Sequence, residues 1–306
     1  MTALNVMQKV SRLPGLRRRR VRVWLMVVGT ITLLLAAQVI WPTFRVMPQL
    51  GDGVGPGAFL AVFLAALICE YVDSSLGMGY GTTLTPLLLL AGFSPLQIVP
   101  CVLCSEFITG ALSGLFHHRD GNVNFLRDRE ARSTVVMLSM LSVVGAIVAV
   151  TLALSVPKVW LTGIIGVMVL SIGVVILATI RRQLRYRRGH LITLGAVAAF
   201  NKGLSGGGYG PLVTAGQVVS GVKAKHAVAI TSIAESLTCL VGLVAYFVMT
   251  RGSIDTALLL PLVTGAVLSV PIATLTVRRI PDTWMRSIVG VMTCLLGLLA
   301  LSKLVW

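Results

Sequence analysis

The chain has 306 residues, of which 56% are hydrophobic and only 12% charged. An ordinary soluble domain carries about 25% charged residues. Several apolar runs reach the roughly 20 residues that a helix needs to cross a bilayer, so the chain reads as an all-α polytopic membrane protein. Its net charge of +16 suggests a nucleic-acid partner. The basic residues gather in short loops, however, as the positive-inside rule demands, and no nucleic acid is expected. Five cysteines (Cys69, Cys101, Cys104, Cys239, Cys294) all fall in apolar segments. An odd, buried set describes no disulfide framework.

Residues 1–22 end in Arg17, Arg18, Arg19, Arg20 and Arg22, a basic cytoplasmic tail. The apolar run 23–41 follows. No A-x-A-like site closes it, which favours an uncleaved helix over a signal peptide. With its Pro/Gly-rich connector this extra N-terminal unit covers 23–56. Segment 57–91 is apolar but broken by glycines, and its second arm, 82–91, is too short to span. A full span is expected at 95–116, a charged loop at 117–132, and spans at 133–154 and 158–180. The linker 181–190 is the most basic loop and belongs in the cytoplasm. Segment 191–220 is broken again, and spans follow at 226–249, 256–277 and 284–304. Arg278, Arg279 and Arg286 then fall inside. Counting back from the basic loops puts both ends of 57–91 outside and both ends of 191–220 inside. Each broken segment is thus a re-entrant or V-shaped hairpin; counting each as one or two spans is a nearby alternative. The N-terminus is expected in the cytoplasm and Trp306 in the periplasm.

The two broken segments carry the same motif. Gly77-Met78-Gly79-Tyr80-Gly81 recurs as Gly206-Gly207-Gly208-Tyr209-Gly210, at an offset of 129 residues. Without a gap the offset superposes Thr85 on Thr214, Gly92 on Gly221, Glu106 on Glu235 and Thr109 on Thr238. This predicts a duplication, with repeat 1 at 57–180 and repeat 2 at 191–306. Each repeat has one hairpin and three spanning helices. The charge bias turns the second copy over, which makes it an inverted-topology repeat.

Backbone that leaves a helix inside a bilayer must be buried in protein or line a polar cavity. Glycine permits such a turn and lets another backbone come close. The helix restarting after the turn offers free N–H groups and the positive end of its dipole, an anion site. Gly79, Tyr80 and Gly81, with the hydroxyls of Thr82 and Thr83, are the first copy's candidate substrate residues. Gly207, Gly208, Tyr209 and Gly210 are the second's. The bland alternative takes Gly77/Gly81 and Gly206/Gly210 as small-residue packing faces. The recurrence of Tyr and Thr at matched sites favours the site. As a nucleotide loop the motif is weak, since no strand precedes it.

LGMGYGTTLTPLLLLAGFSPLQ at 76–97, GLSGGGYGPLVTAGQVVSG at 203–221 and GNVN at 121–124 resemble the sulfite exporter TauE/SafE family of anion transporters. The resemblance covers about 57–305 and leaves out the helix at 23–41. Met78 and Tyr80 depart from the family's more glycine-rich form. The resemblance implies export of small sulfur-containing or organic anions, such as sulfite or sulfonates, across a bacterial inner membrane.

Glu70, Asp73, Glu106, Lys202 and Glu235 fall within apolar segments, where a charge costs several kcal/mol and marks a functional candidate. Glu106 and Glu235 are counterparts, and in each copy E-x-x-T puts acid and hydroxyl on one helical face. Desolvation disfavours a bare carboxylate, which suits Glu106, Glu235 and Asp73 to proton coupling. Structural hydrogen bonding between helices is the alternative role of Glu106 and Glu235. Asp73 and Lys202 are counterparts of opposite charge: either they pair, or Lys202 binds the substrate anion. His117, His118, His190 and His226 fall in loops or at helix ends, where solvation is expected rather than metal binding. Cys101 and Cys104 have Ile230 and Ile233 as counterparts, so the cysteines read as apolar packing. No zinc pattern, Ser/His/Asp set or Walker loop is found, and no cofactor is expected.

The leading reading is a secondary transporter for a small anion, working in the lipid bilayer, with a homodimer allowed. A passive channel is the second reading. A membrane enzyme using Glu106 and Glu235 as acid and base is the third. Inverted copies serve alternating access and bring an enzyme no obvious benefit.

Overall fold

A computed structural model describes residues 24, 26–34, 37, 56–152, 158–179, 189, 192–193, 195–198, 209–250 and 254–302. Every regular element among them is helical. In chain order these are α1 (Pro56–Leu76), α2 (Tyr80–Leu90), α3 (Pro95–Asp120), α4 (Arg129–Leu152) and α5 (Lys158–Ala178). Then come α6 (Tyr209–Val219), α7 (Ala224–Thr250), α8 (Thr256–Arg279) and α9 (Asp282–Ser302). Residues 26–34 are also helical. Trp24, Val28 and Ile31 pack there against Phe59, Phe63 and Leu268.

Five of the described helices are long and apolar enough to cross a membrane: Gly57–Leu76, Gln97–Asp120, Ala224–Val248, Thr256–Arg279 and Asp282–Leu299. Their outward faces match. Leu115 and Val248 are each more than 60% exposed, a poor surface in water and a natural one against lipid tails.

Helix ends follow local chemistry. Pro95 sits at the first position of α3, and Gln97 Oε1 accepts from the N–H and hydroxyl of Ser94. Asp255 caps α8, accepting from the N–H groups of Ala257 and Leu258. Gly121, with φ of +77°, closes α3. The charged loop is therefore shorter than its composition suggests. α3 runs through Asp120 and α4 begins at Arg129. His117 is part of α3 and fully buried. Its Nε2 lies 2.9 Å from the Ser74 carbonyl, and its Nδ1 lies 2.8 Å from Asn122 Nδ2. These two partners replace the water that a loop histidine would find. His190 lies outside the described residues.

Printed contacts give the helix directions. Ser113 meets Ser232, Phe107 meets Ser236 and Glu106 meets Cys239, so α3 and α7 run antiparallel. α5 and α9 are antiparallel too, through a seam of glycines. A Cβ at Gly166 or Gly173 would strike Leu301 or Cys294, and one at Gly290 or Gly297 would strike Leu177 or Leu170. By contrast α1 and α8 are parallel, with Phe63 beside Gly265 and Tyr71 on Thr276. α3 is parallel to α8 as well: Gln97 bonds Asp255 at one end, and Asn122 bonds the Thr274 carbonyl at the other.

Candidate functional site

α1 stops at Leu76, and α2 begins at Tyr80. Between them Gly77 and Gly79 have φ of +71° and +128°, left-handed conformations that a side chain strains. The restart lies beside the middle of α3. The Tyr80 hydroxyl is 2.8 Å from Ser105 Oγ, and the Gly81 N–H donates to Glu106 Oε1 at 3.0 Å. The Tyr80 N–H faces Asp73 Oδ1 at 3.4 Å.

In the second copy α6 is described from Tyr209, 129 residues after Tyr80. The Tyr209 hydroxyl accepts from Ser142 at 3.1 Å, because the counterpart of Ser105 is Ala234. The first break and α6 touch. A Cβ on Gly210 would lie only 2.6 Å from the Gly77 carbonyl oxygen. Thr214 donates to that same oxygen at 2.7 Å and stands 2.9 Å from the Thr231 hydroxyl.

A cleft opens at this junction. Asp73, Gly79, Tyr80, Gly81, Thr82 and Glu106 line it from one side, and Gly210, Pro211 and Glu235 from the other. It is small: its interior has about 10 Å³ of room for the centre of a water molecule. Its described titratable lining, besides Tyr80, is entirely acidic. Glu70 stands behind it, 1% exposed, accepting from Ser74 at 2.6 Å and Thr109 at 3.0 Å. The Thr82 hydroxyl oxygen is inaccessible and has no hydrogen-bond partner among the described residues.

Residues 58–300 match the family described as Sulfite exporter TauE/SafE. The chain belongs to the TauE/SafE family. A curated relative, the probable membrane transporter protein YtnM of Bacillus subtilis (strain 168), is 28% identical over 236 residues. That alignment covers 73% of this chain and 76% of the relative. No solved structure matches. Family and relative point to a multi-pass membrane transporter rather than an enzyme. The helical residues 26–34 precede the TauE/SafE match.

Of the residues singled out from the TauE/SafE sequence, the cleft brings together Asp73, Gly79, Tyr80, Gly81, Thr82, Glu106, Gly210 and Glu235. Thr83 is exposed and stays off the cleft, since the next residue on a helix turns away from its neighbour. Tyr209 is buried with its hydroxyl on Ser142. Lys202, Gly207 and Gly208 lie outside the described residues. Each E-x-x-T hydroxyl goes elsewhere than to its own glutamate: Thr109 bonds Glu70 and the Ser105 carbonyl, and Thr238 bonds the Ala234 carbonyl. All five cysteines are free thiols, and Cys69 and Cys101 pack in an apolar cluster. Cys239 does more than pack. Its thiol donates to Glu106 Oε2 at 3.1 Å. Pro211, the counterpart of Thr82, is a lining residue that the sequence alone did not mark.

Proposed function

We propose that the chain is a secondary transporter that exports a small anion, sulfite or an organosulfonate, across a bacterial inner membrane. The observation that carries this reading is the meeting of α2 and α6, which carry the two glycine motifs, in one cleft. The first ends a backbone break with a helix N-terminus, and N–H groups there favour negative charge. Gly79, Gly81, Thr82 and Gly210 offer close backbone approach and a hydroxyl. Lys202, Gly207 and Gly208, outside the described residues, complete the second half-site in this reading.

Two inverted repeats, 57–180 and 191–306, suit alternating access around such a central site. Support comes from the helices themselves. Tyr80–Leu90 and Tyr209–Val219 lie at the repeat offset. α3 lies antiparallel against its own counterpart α7, as inversion requires. The extra helix, with the basic tail ahead of it, puts the N-terminus in the cytoplasm and Trp306 in the periplasm.

An anion entering among Asp73, Glu106 and Glu235 would be repelled if all three were ionised. Proton binding by part of this set therefore belongs to the transport cycle. Counterflow of labelled sulfite in proteoliposomes tests the reading. A carrier preloaded with unlabelled sulfite accumulates the label transiently; a channel shows no such overshoot, and that outcome removes the carrier.

A further inference from the structure

α4 and α8 follow α3 and α7 and are counterparts as those are. Each is 24 residues long, and both ends of α8 lie 127 residues after those of α4. The offset falls below 129 here because the connection before α8, 251–255, is shorter than the one before α4, 121–128. At this offset Leu141-Ser142-Val143 falls on Leu268-Ser269-Val270. Ser142 is the residue that meets the Tyr209 hydroxyl, at 3.1 Å. Its counterpart, Ser269, is 1% exposed, and its Oγ has no hydrogen-bond partner among the described residues. Other hydroxyls of these two helices at least take the carbonyl one turn back: Ser139 takes that of Val135, Ser142 that of Leu138 and Thr276 that of Ile272. A buried hydroxyl left unpaired loses its bonds to water and gains none in return.

Tyr80, the counterpart of Tyr209, packs in one cluster with Leu258, Leu262 and Ala266 of α8. Ser269 follows Ala266 by three residues, on the same helical face. The Tyr80 hydroxyl turns instead to Ser105 on α3, 2.8 Å away. The place that matches Ser105 in the second copy holds Ala234. Only the first copy offers its tyrosine two serines.

We propose that Ser269 is the second seat of the Tyr80 hydroxyl: when the carrier turns its cleft to the opposite side, Tyr80 leaves Ser105 on α3 and takes on α8 the place that Tyr209 holds here on α4. This rests on the alternating-access reading. Where two inverted copies rock around one site, symmetry gives each copy the other's arrangement in the opposite state. Ser269 is unpaired here because its partner belongs to that other state. The exchange is between neutral hydroxyls, so no proton changes hands. Ser269 acts through Tyr80, which lines the cleft, and is a positioning residue for it.

The test uses the full chain carrying 3-fluorotyrosine, read by fluorine NMR in lipid nanodiscs, with the Tyr80 signal assigned through Tyr80→Phe. Ser269→Ala leaves that signal in place, since Tyr80 is bonded to Ser105. Ser105→Ala moves it, and adding Ser269→Ala to Ser105→Ala moves it again. In proteoliposomes Ser269→Ala slows sulfite counterflow on the order of fivefold, the worth of one modest hydrogen bond lost from the opposite state. Its sulfite affinity by calorimetry is unchanged. Its thermal midpoint does not fall, because the group removed has no bond in the described state. If Ser269→Ala moves the Tyr80 signal equally with and without Ser105, or in neither case, Ser269 serves packing or holds a water, and the proposal falls while the transporter reading stands. Counterflow at the unaltered rate in Ser269→Ala overturns it too, even if Ser105→Ala fails to fold. Absence of counterflow by the unaltered chain overturns the carrier reading and the proposal with it.

Discussion

Ser236 donates a 2.8 Å hydrogen bond to the main-chain oxygen of Phe107, the residue 129 positions before it. The same offset separates the two glycine motifs. A residue in contact with its own counterpart lies where the two copies cross. The cleft is near at hand, since Glu106 and Glu235, next to these residues in sequence, both line it. A binding site at such a crossing is shared by the copies and belongs to neither.

The first prediction follows from the antiparallel counterparts. A reporter active only in the cytoplasm should be silent when fused after Trp306 and active when fused ahead of Met1. A bright C-terminal fusion removes the seven-span topology and the inversion with it.

A second prediction concerns the breaks. Gly79 has φ of +128°, and its counterpart is Gly208. Gly79→Leu and Gly208→Leu should each abolish sulfite counterflow while the protein still reaches the membrane and elutes as a single folded species. Unfolded protein in both variants would instead make the glycines packing residues, and normal counterflow would move the site elsewhere.

The third prediction is one of stability. His117 is buried and held between the Ser74 carbonyl and Asn122. His117→Ala leaves a cavity and strands two polar groups, at a cost of about 2–4 kcal/mol. Thermal unfolding in detergent should begin several degrees lower. An unchanged midpoint would mean that water takes over the histidine's bonds at no cost.

The fourth prediction separates coupled from uncoupled flux. A monovalent anion moving alone gains or loses about 2.3 kcal/mol per 100 mV of membrane potential. If one proton travels with each anion, net charge movement is zero. Methanesulfonate flux through the unaltered chain should then ignore an imposed potential and follow the anion and pH gradients. Glu106→Gln should respond to the potential. A strong voltage response in the unaltered chain argues against the proton.

The breaks could be read from the sequence because glycine, tyrosine and threonine recur at a fixed spacing. That spacing anticipates the restart at Tyr80 and puts its counterpart at Tyr209, where α6 is first described. Local reading also found Asp73, Glu106 and Glu235, since carboxylates are conspicuous in apolar helices. Pairings between helices were out of reach. The Cys239–Glu106 contact depends on the register of α7 against α3, and no local pattern encodes that register. The E-x-x-T motif points at a shared face, yet Thr109 finds its partner, Glu70, on another helix. His117 looked like a loop residue because charged neighbours follow it; burial against Ser74 is a tertiary fact.

The glycine seam between α5 and α9 bears on how such a machine can move. Leu301 and Cys294 fill the slots left by Gly166 and Gly173, and Leu177 and Leu170 fill those left by Gly290 and Gly297. Four pegs seated in four slots, alternating between the partners, resist sliding in either direction along the helix axes. α5 belongs to the first half of the chain and α9 to the second, so the halves are keyed together here. In the alternating-access reading, a swing that exposes the cleft first to one side and then to the other can turn about this seam as an axle. The displacement then grows with distance from it, and the axle itself stays shut.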